Sequence, residues 1–133
     1  MRVKPWAPVL LAVVFVVVRA PLFAHHGSAS YDINKLMTLK GTVTDFQFMN
    51  PHSEIFINAN DSAGKSQEWV VEGLGVSTMS RVGWTKNILK AGDQVTITGN
   101  PARNGSHAMR LKKIVLPSGK ELALQSAEDY AGQ

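Results

Sequence analysis

The sequence contains no cysteine. That absence excludes disulfide bonds, thiol catalysis, Fe–S clusters and cysteine-ligated zinc sites. Enzyme motifs are also missing, because the chain has no G-x-S-x-G elbow, no P-loop, no G-x-G-x-x-G after a strand and no H-E-x-x-H. The 133 residues suffice for one domain, and a domain of this size has little room for a deep catalytic pocket. We therefore expect a protein that is not an enzyme.

Most of the chain has nearly equal numbers of basic and acidic side chains. Of its 14 basic side chains, Arg2, Lys4 and Arg19 lie in the first 24 residues, where there is no acid. Residues 25–133 carry the other 11 basic side chains and all 10 acidic ones, a net charge of +1. A protein that binds nucleic acid usually needs a basic surface that displaces counterions from phosphates. The near-neutral body therefore argues against a nucleic-acid partner.

The longest apolar run is too short to cross a membrane. Residues 9–18 are ten unbroken apolar residues, whereas a transmembrane helix needs about 20. A basic start followed by such a run is typical of a secretory signal peptide. Cleavage after Ala20 would leave Pro21 behind the cut, so cleavage after Ala24 is the better prediction, with an uncleaved anchor as the alternative. The mature chain would begin at His25, be periplasmic or secreted, and keep no stable membrane span.

Alternating apolar residues predict mostly strands after the leader. The pattern gives strands over residues 36–49, 52–59, 67–72, 94–99 and 109–116, with a short extension over 122–124. Helical spacing over residues 73–83 indicates an insert, with Ser77 as its N-cap and Gly83 as a C-terminal stop, and residues 85–90 add one short turn capped by Thr85. The apolar face changes parity near Thr44-Asp45 in the first strand and again at Lys112-Lys113 in the fifth. Such a change predicts one extra residue, a β-bulge, at each place.

Three strands, a helical insert and two more strands, with a long kinked first strand, are the layout of the OB-fold. We therefore predict an all-β protein, a small five-stranded OB-fold-like Greek-key barrel over residues 36–124. A signal peptide (1–24) and an N-terminal arm (25–35) precede it, and a flexible tail (125–133) follows. An open β-sandwich-like sheet is the alternative, although it does not explain a single helix in mid-chain. The predicted core consists of Val43, Phe46, Ile55, Ile57, Trp69, Val95, Ile97, Met109 and Leu111.

Short motifs extend over nearly the whole mature chain. They are His25-His26-Gly27, Leu39-Lys40-Gly41-Thr42-Val43, Asn50-Pro51-His52, Trp69, Glu72-Gly73, Gly83-Trp84-Thr85, Leu89-Lys90-Ala91-Gly92-Asp93-Gln94-Val95 and Pro117-Ser118-Gly119-Lys120. This set resembles a family of short exported bacterial proteins that is known only as a domain of unknown function. The resemblance implies a location in the cell envelope and a small β-barrel, and it implies no activity.

All four histidines lie beyond the predicted cleavage site and are candidate metal ligands. They are His25, His26, His52 and His107. A histidine at the N-terminus can chelate a metal together with its α-amine, and such nitrogen-rich sets suit Cu(II). His52 and His107 fall in two loops that flank the binding face of an OB-fold, and we expect these loops at the same end of the barrel. The alternative is that Asn-Pro-His forms a turn with a hydrogen-bonded imidazole.

The second and third strands predict a candidate ligand or partner face. If their alternate residues point into the barrel, the outward residues are Glu54, Phe56, Asn58, Glu68, Val70 and Glu72. Three carboxylates would repel phosphate and accept a cation, a basic partner or an uncharged ligand, and the apolar centre suits a protein contact. Trp69 and Trp84 are expected to fill the core or the barrel ends rather than to stack on ligands.

Two functions follow from these features. The first is a non-catalytic exported binding module, periplasmic, that presents the strand 2–3 face and its neighbouring loops to an envelope protein or a small ligand. The alternative is a protein that binds copper, or another divalent metal, through His25 with His52 or His107.

Overall fold

The computed structural model describes residues 30–124. The predicted signal peptide, the His25-His26 pair and the predicted tail lie outside the described residues. Within residues 30–124, no helix is both long enough and apolar enough to cross a membrane.

Within residues 30–124, six strands and one short helix follow each other. They are β1 (Met37–Gln47), β2 (Glu54–Asn60), β3 (Ser66–Glu72), α1 (Val76–Arg81), β4 (Gln94–Pro101), β5 (Ala108–Val115) and β6 (Glu121–Ala123). The strands are hydrogen-bonded in the order β3-β2-β1-β4-β5-β6, and a further parallel pairing of β3 with β5 closes the first five into a barrel. The helix lies between β3 and β4. This arrangement confirms the predicted OB-fold-like barrel.

Both predicted bulges are present. In β1, Val43 pairs with Ile57 while Asp45 pairs with the preceding residue of β2, so Thr44 is the extra residue. In β5, Leu111 and Lys113 pair with consecutive residues of β4, so Lys112 is extra. Each bulge lets the strand bury residues of opposite parity on its two sides.

The interior of the barrel is the hydrophobic core. Seven of the nine predicted core residues are buried: Val43, Ile55, Ile57, Val95, Ile97, Met109 and Leu111. The prediction was wrong for Phe46 and Trp69, which are only partly buried and pack against the margin of the core. The region around the insert adds Met79, Trp84 and Leu89, and the ring of Trp84 lies 5.8 Å from that of Phe46.

The helical insert begins differently from the sequence-based expectation. Its N-cap is Gly75, not Ser77. The Val76 N–H instead donates to Oδ1 of Asn50 at 2.9 Å, so the capping acceptor comes from the loop between β1 and β2. The predicted stop is correct, because Gly83 follows the helix with a φ of +96°, a conformation that glycine adopts without strain.

The described part of the N-terminal arm is bound to the barrel. The Asp32 N–H donates to the carbonyl of Pro101 at 2.9 Å, and the Arg103 N–H donates to the carbonyl of Ser30 at 2.9 Å. Between these bonds Tyr31 forms an isolated bridge with the β4–β5 connection, and its side chain is buried. Residues 30–35 therefore belong structurally to the barrel rather than to a separate lead-in.

Candidate functional site

The six predicted face residues form three directly opposed pairs on β2 and β3. The pairs are Glu54 with Glu72, Phe56 with Val70, and Asn58 with Glu68. They alternate with residues that point inward, of which Ile55, Ile57 and Val71 are buried. The predicted placement of these residues is therefore correct, and their role in binding stays a prediction.

One end of this face carries two carboxylates on neighbouring strands. Like charges directly opposite each other are destabilising unless other groups compensate them. The Tyr31 hydroxyl donates to Oε2 of Glu72 at 3.0 Å, and Nδ1 of His52 lies 3.5 Å from Oε1 of the same carboxylate. Each carboxylate oxygen of Glu72 thus has a donor group close to it, and these groups offset the repulsion from Glu54 on the opposite strand.

The hydroxyl of Tyr31 is held in its protonated form. Burial and, after it, the negative charge of Glu72 raise the pKa of Tyr31 well above its ordinary value. The group is therefore a hydrogen-bond donor at any physiological pH. Its position gives the arm a specific polar contact with β3 in addition to its backbone bonds with the β4–β5 connection.

Tyr31 covers the glutamate end of the face. A depression of about 220 Å³ remains there, lined by Tyr31, Glu54, Val70 and Glu72 together with residues of the β4–β5 connection. Further along the face Phe56 is half-buried, and the Asn58–Glu68 pair is exposed. Sequence patterns do not predict this cover, since Tyr31 is a single aromatic residue in a polar stretch.

The Asn-Pro-His element has a structural role. Asn50 caps the helical insert, and the Asn50–Pro51 peptide bond is cis. The imidazole of His52, about half exposed, has its Nδ1 3.3 Å from the carbonyl oxygen of Gly73 and lies beside Glu72. This geometry agrees with the interpretation of the element as a turn with a hydrogen-bonded imidazole.

His52 and His107 lie at different places on the barrel. The β2–β3 pairing continues to Leu74, which accepts the N–H of Ser53, so His52 is level with Leu74 on one edge of β3. The β3–β5 register puts His107 level with Trp69 on the other edge, and the two rings are 4.9 Å apart. Five residues of strand separate the two levels, about 16 Å. The expectation that both loops lie at the same end of the barrel was therefore wrong.

A neighbouring carboxylate supports this placement of His107. The pKa of Asp61, in the β2–β3 hairpin loop, is lowered first by the backbone N–H of Lys65 and, to a smaller degree, by the electrostatic effect of the nearby His107 imidazole. His107 is thus close to the hairpin, whereas His52 is close to the start of the helical insert. In the part of the chain that the structure describes, no three His, Asp or Glu side chains are grouped as metal ligands would be.

A family model covers most of the chain. The "Family of unknown function (DUF6152)" matches residues 12–110. The chain belongs to this family. The DUF6152 match extends from the predicted leader into β5 and includes Tyr31, His52, both paired glutamates and His107. No curated protein is significantly similar to the chain in sequence.

Two solved structures are similar to the barrel. The first is Rim1, a mitochondrial single-stranded DNA binding protein from S. cerevisiae, at 12% identity and a TM-score of 0.47, covering 62% of this chain and 91% of that one. The second is the ZRD-deleted mutant of TiaS in complex with agmatine, at 19% identity and a TM-score of 0.42. It covers 70% of this chain, which spans only 23% of the TiaS chain.

Proposed function

We propose that this DUF6152 protein is a non-catalytic exported module, located in the periplasm, that binds a protein or a small ligand on its β2–β3 face. The observation that carries the proposal is the pairing of Phe56 with Val70 between two pairs that contain carboxylates. An apolar centre flanked by negative charge complements a partner that offers an apolar side chain beside a cationic group.

The arm supports this proposal because it fixes one border of the face. Tyr31 occupies the glutamate end and donates to Glu72, which leaves the Phe56–Val70 and Asn58–Glu68 pairs as the open part. A face whose border is already ordered loses less conformational entropy when a partner binds. The same three carboxylates disfavour nucleic acid, since its phosphates would meet like charge.

The alternative function is the binding of copper or another divalent metal. It needs His25, which lies outside residues 30–124, together with His52 or His107, and these last two are too far apart on the barrel to share one ion without a large loop movement. Copper binding by the N-terminal pair stays a prediction from the sequence.

Photo-crosslinking in the cell of origin tests the proposed face. A photoreactive residue at Phe56 should give a discrete adduct, and Glu54→Gln with Glu68→Gln should weaken that adduct because the flanking charge is gone. The matched control is Thr96, another half-buried outward position, on β4.

N-terminal sequencing of the same material tests export and should read His-His-Gly-Ser.

Two results would contradict the proposed function. Equal crosslinking at Phe56 and Thr96 would show that the β2–β3 face is not selective. An adduct that is unchanged by both glutamine substitutions would remove the charge argument.

A further inference from the structure

We propose that a cavity beside the N-terminal arm is a second binding site, for a small organic anion with a flat apolar body. The cavity has a volume of about 280 Å³ and lies between residues 32–37, the β4–β5 connection and Trp69. It has none of the six face residues in its lining. The inference therefore goes beyond the proposed function and does not depend on it.

Apolar groups form the walls of this cavity. Trp69, Met37 and Pro101 all line it. Trp69 has the inward parity of a core residue, yet it is only partly buried because it stands at the end of the barrel. Its ring lies 4.9 Å from that of His107, which lines no part of the cavity. An indole held against a neighbouring ring offers a flat, largely apolar surface on which a planar ligand can pack.

The charged groups of the cavity favour an anion. Lys35 and Arg103 contribute two positive charges against the single negative charge of Asp32. Asp32 is also engaged locally, since its Oδ1 accepts the N–H of Asn34 at 3.2 Å. The guanidinium and the ammonium of two lining residues suit a carboxylate or a similar small anion, because both donate charge-assisted hydrogen bonds.

Hydrogen bonds order the segments that carry these cations. The Arg103 Nε–H donates to the carbonyl of Tyr31 at 3.1 Å, which uses one of the five N–H donors of the guanidinium. The Lys35 N–H donates to the carbonyl of Asp32 at 3.0 Å, and the Lys35 carbonyl accepts Nδ2 of Asn100 at 2.8 Å. The backbone beside both cations is thus fixed before a ligand arrives, which reduces the entropy lost on binding.

The size of the cavity limits the ligand. Sites for small molecules usually enclose about 300–1,000 Å³, so 280 Å³ suits a ligand of one or two rings. The combination of a flat apolar wall, two cations and a small volume defines an aromatic or alicyclic carboxylate as the ligand class.

Calorimetric titration of the purified protein with 2-naphthoate tests this inference, with 2-naphthalenemethanol as the uncharged analogue of the same shape. We expect saturable one-to-one binding of the carboxylate and at least about tenfold weaker binding of the alcohol, a difference of about 1.4 kcal/mol. Lys35→Gln and, separately, Arg103→Gln should each weaken naphthoate binding by a similar factor. Lys40→Gln is the matched control, because it removes an equal charge from an exposed position on β1.

An NMR titration supplies an independent readout of location. The indole N–H signal of Trp69 should shift with naphthoate in the wild type and in Lys40→Gln. The inference is overturned if naphthoate does not saturate the protein at millimolar concentration, if the alcohol binds equally well, or if the Trp69 signal does not move. It is equally overturned if the folded Lys35→Gln and Arg103→Gln variants bind like the Lys40→Gln control.

Discussion

Replacing Asn100 by aspartate should destabilise the protein in a strongly pH-dependent way. Asn100 is 1% exposed, and its Nδ2 donates to the carbonyl oxygens of Lys35 at 2.8 Å and Ile33 at 3.4 Å. Its Oδ1 has no hydrogen-bond partner among residues 30–124. An aspartate of the same shape would present a carboxylate to two carbonyl oxygens in a buried place. An uncompensated buried charge of this kind costs about 3–5 kcal/mol.

The cost should almost disappear in acid. Burial raises the pKa of the introduced carboxyl in the folded state above its unfolded value of about 3.9. A group whose folded pKa is raised contributes its full stability below the unfolded pKa and loses it as the pH increases through the folded pKa. At pH 4 the protonated carboxyl can donate one hydrogen bond to the Lys35 carbonyl. The remaining loss is then one weak hydrogen bond, about 1 kcal/mol.

Urea unfolding followed by circular dichroism at pH 4 and pH 7 measures this difference. Asn104→Asp is the matched control, since Asn104 is exposed and its Oδ1 accepts the N–H of Ser106 at 3.0 Å, a role that a carboxylate also fills. That control should stay within about 0.5 kcal/mol of the wild type at both pH values. If Asn100→Asp costs the same at pH 4 and pH 7, or no more than the control, the arm is not held by a buried Asn100.

Two further predictions concern the core and the arm. Ile57→Ala should lower the free energy of unfolding by about 2–5 kcal/mol, because Ile57 is fully buried, whereas Val82→Ala at an exposed position should change it by less than about 0.5 kcal/mol in the same urea titration. Tyr31→Phe should cost about 1.5 kcal/mol by removing the hydrogen bond to Glu72. Because the pKa of Tyr31 is raised in the folded protein, the wild type should lose free energy of unfolding as the pH increases above about 10. The phenylalanine variant has no hydroxyl to ionise, so it should not show this alkaline loss.

The barrel could be predicted because its main signals are local. Alternation in β2, β4 and β5 follows directly from the two faces of a strand, and a parity change such as that at Thr44 has few explanations besides a bulge. The N-cap could not be predicted in the same way. Its acceptor comes from Asn50, 26 residues before Val76, so a local search favours a serine such as Ser77 over the Gly75 that holds the position.

The candidate site depended on contacts that the sequence does not display. Face residues were placed correctly because period-2 alternation fixes which side chains share a face. The predicted proximity of His52 and His107 was wrong. Predicting their relative positions requires both the β2–β3 and the β3–β5 register, and neither register can be read from local sequence. The arm was predicted, but its attachment to the barrel was not, because that attachment depends on a buried amide at Asn100 and on a hydroxyl contact with Glu72. Both residues are more than 40 positions away from Tyr31.

The closing contact of the barrel is short, and this has a dynamic consequence. Strand β3 pairs with β2 over seven residue pairs but with β5 over only three, in the parallel orientation, which is slightly less stable per residue. Transient separation of the barrel should therefore begin between β3 and β5, and amide exchange should be fastest there among the barrel strands. Tyr31 spans this junction, and the cavity at Trp69 lies across it. A ligand bound in the cavity would contact both Trp69 of β3 and the β4–β5 connection. Its binding would therefore slow amide exchange between β3 and β5, even at residues that the ligand does not touch.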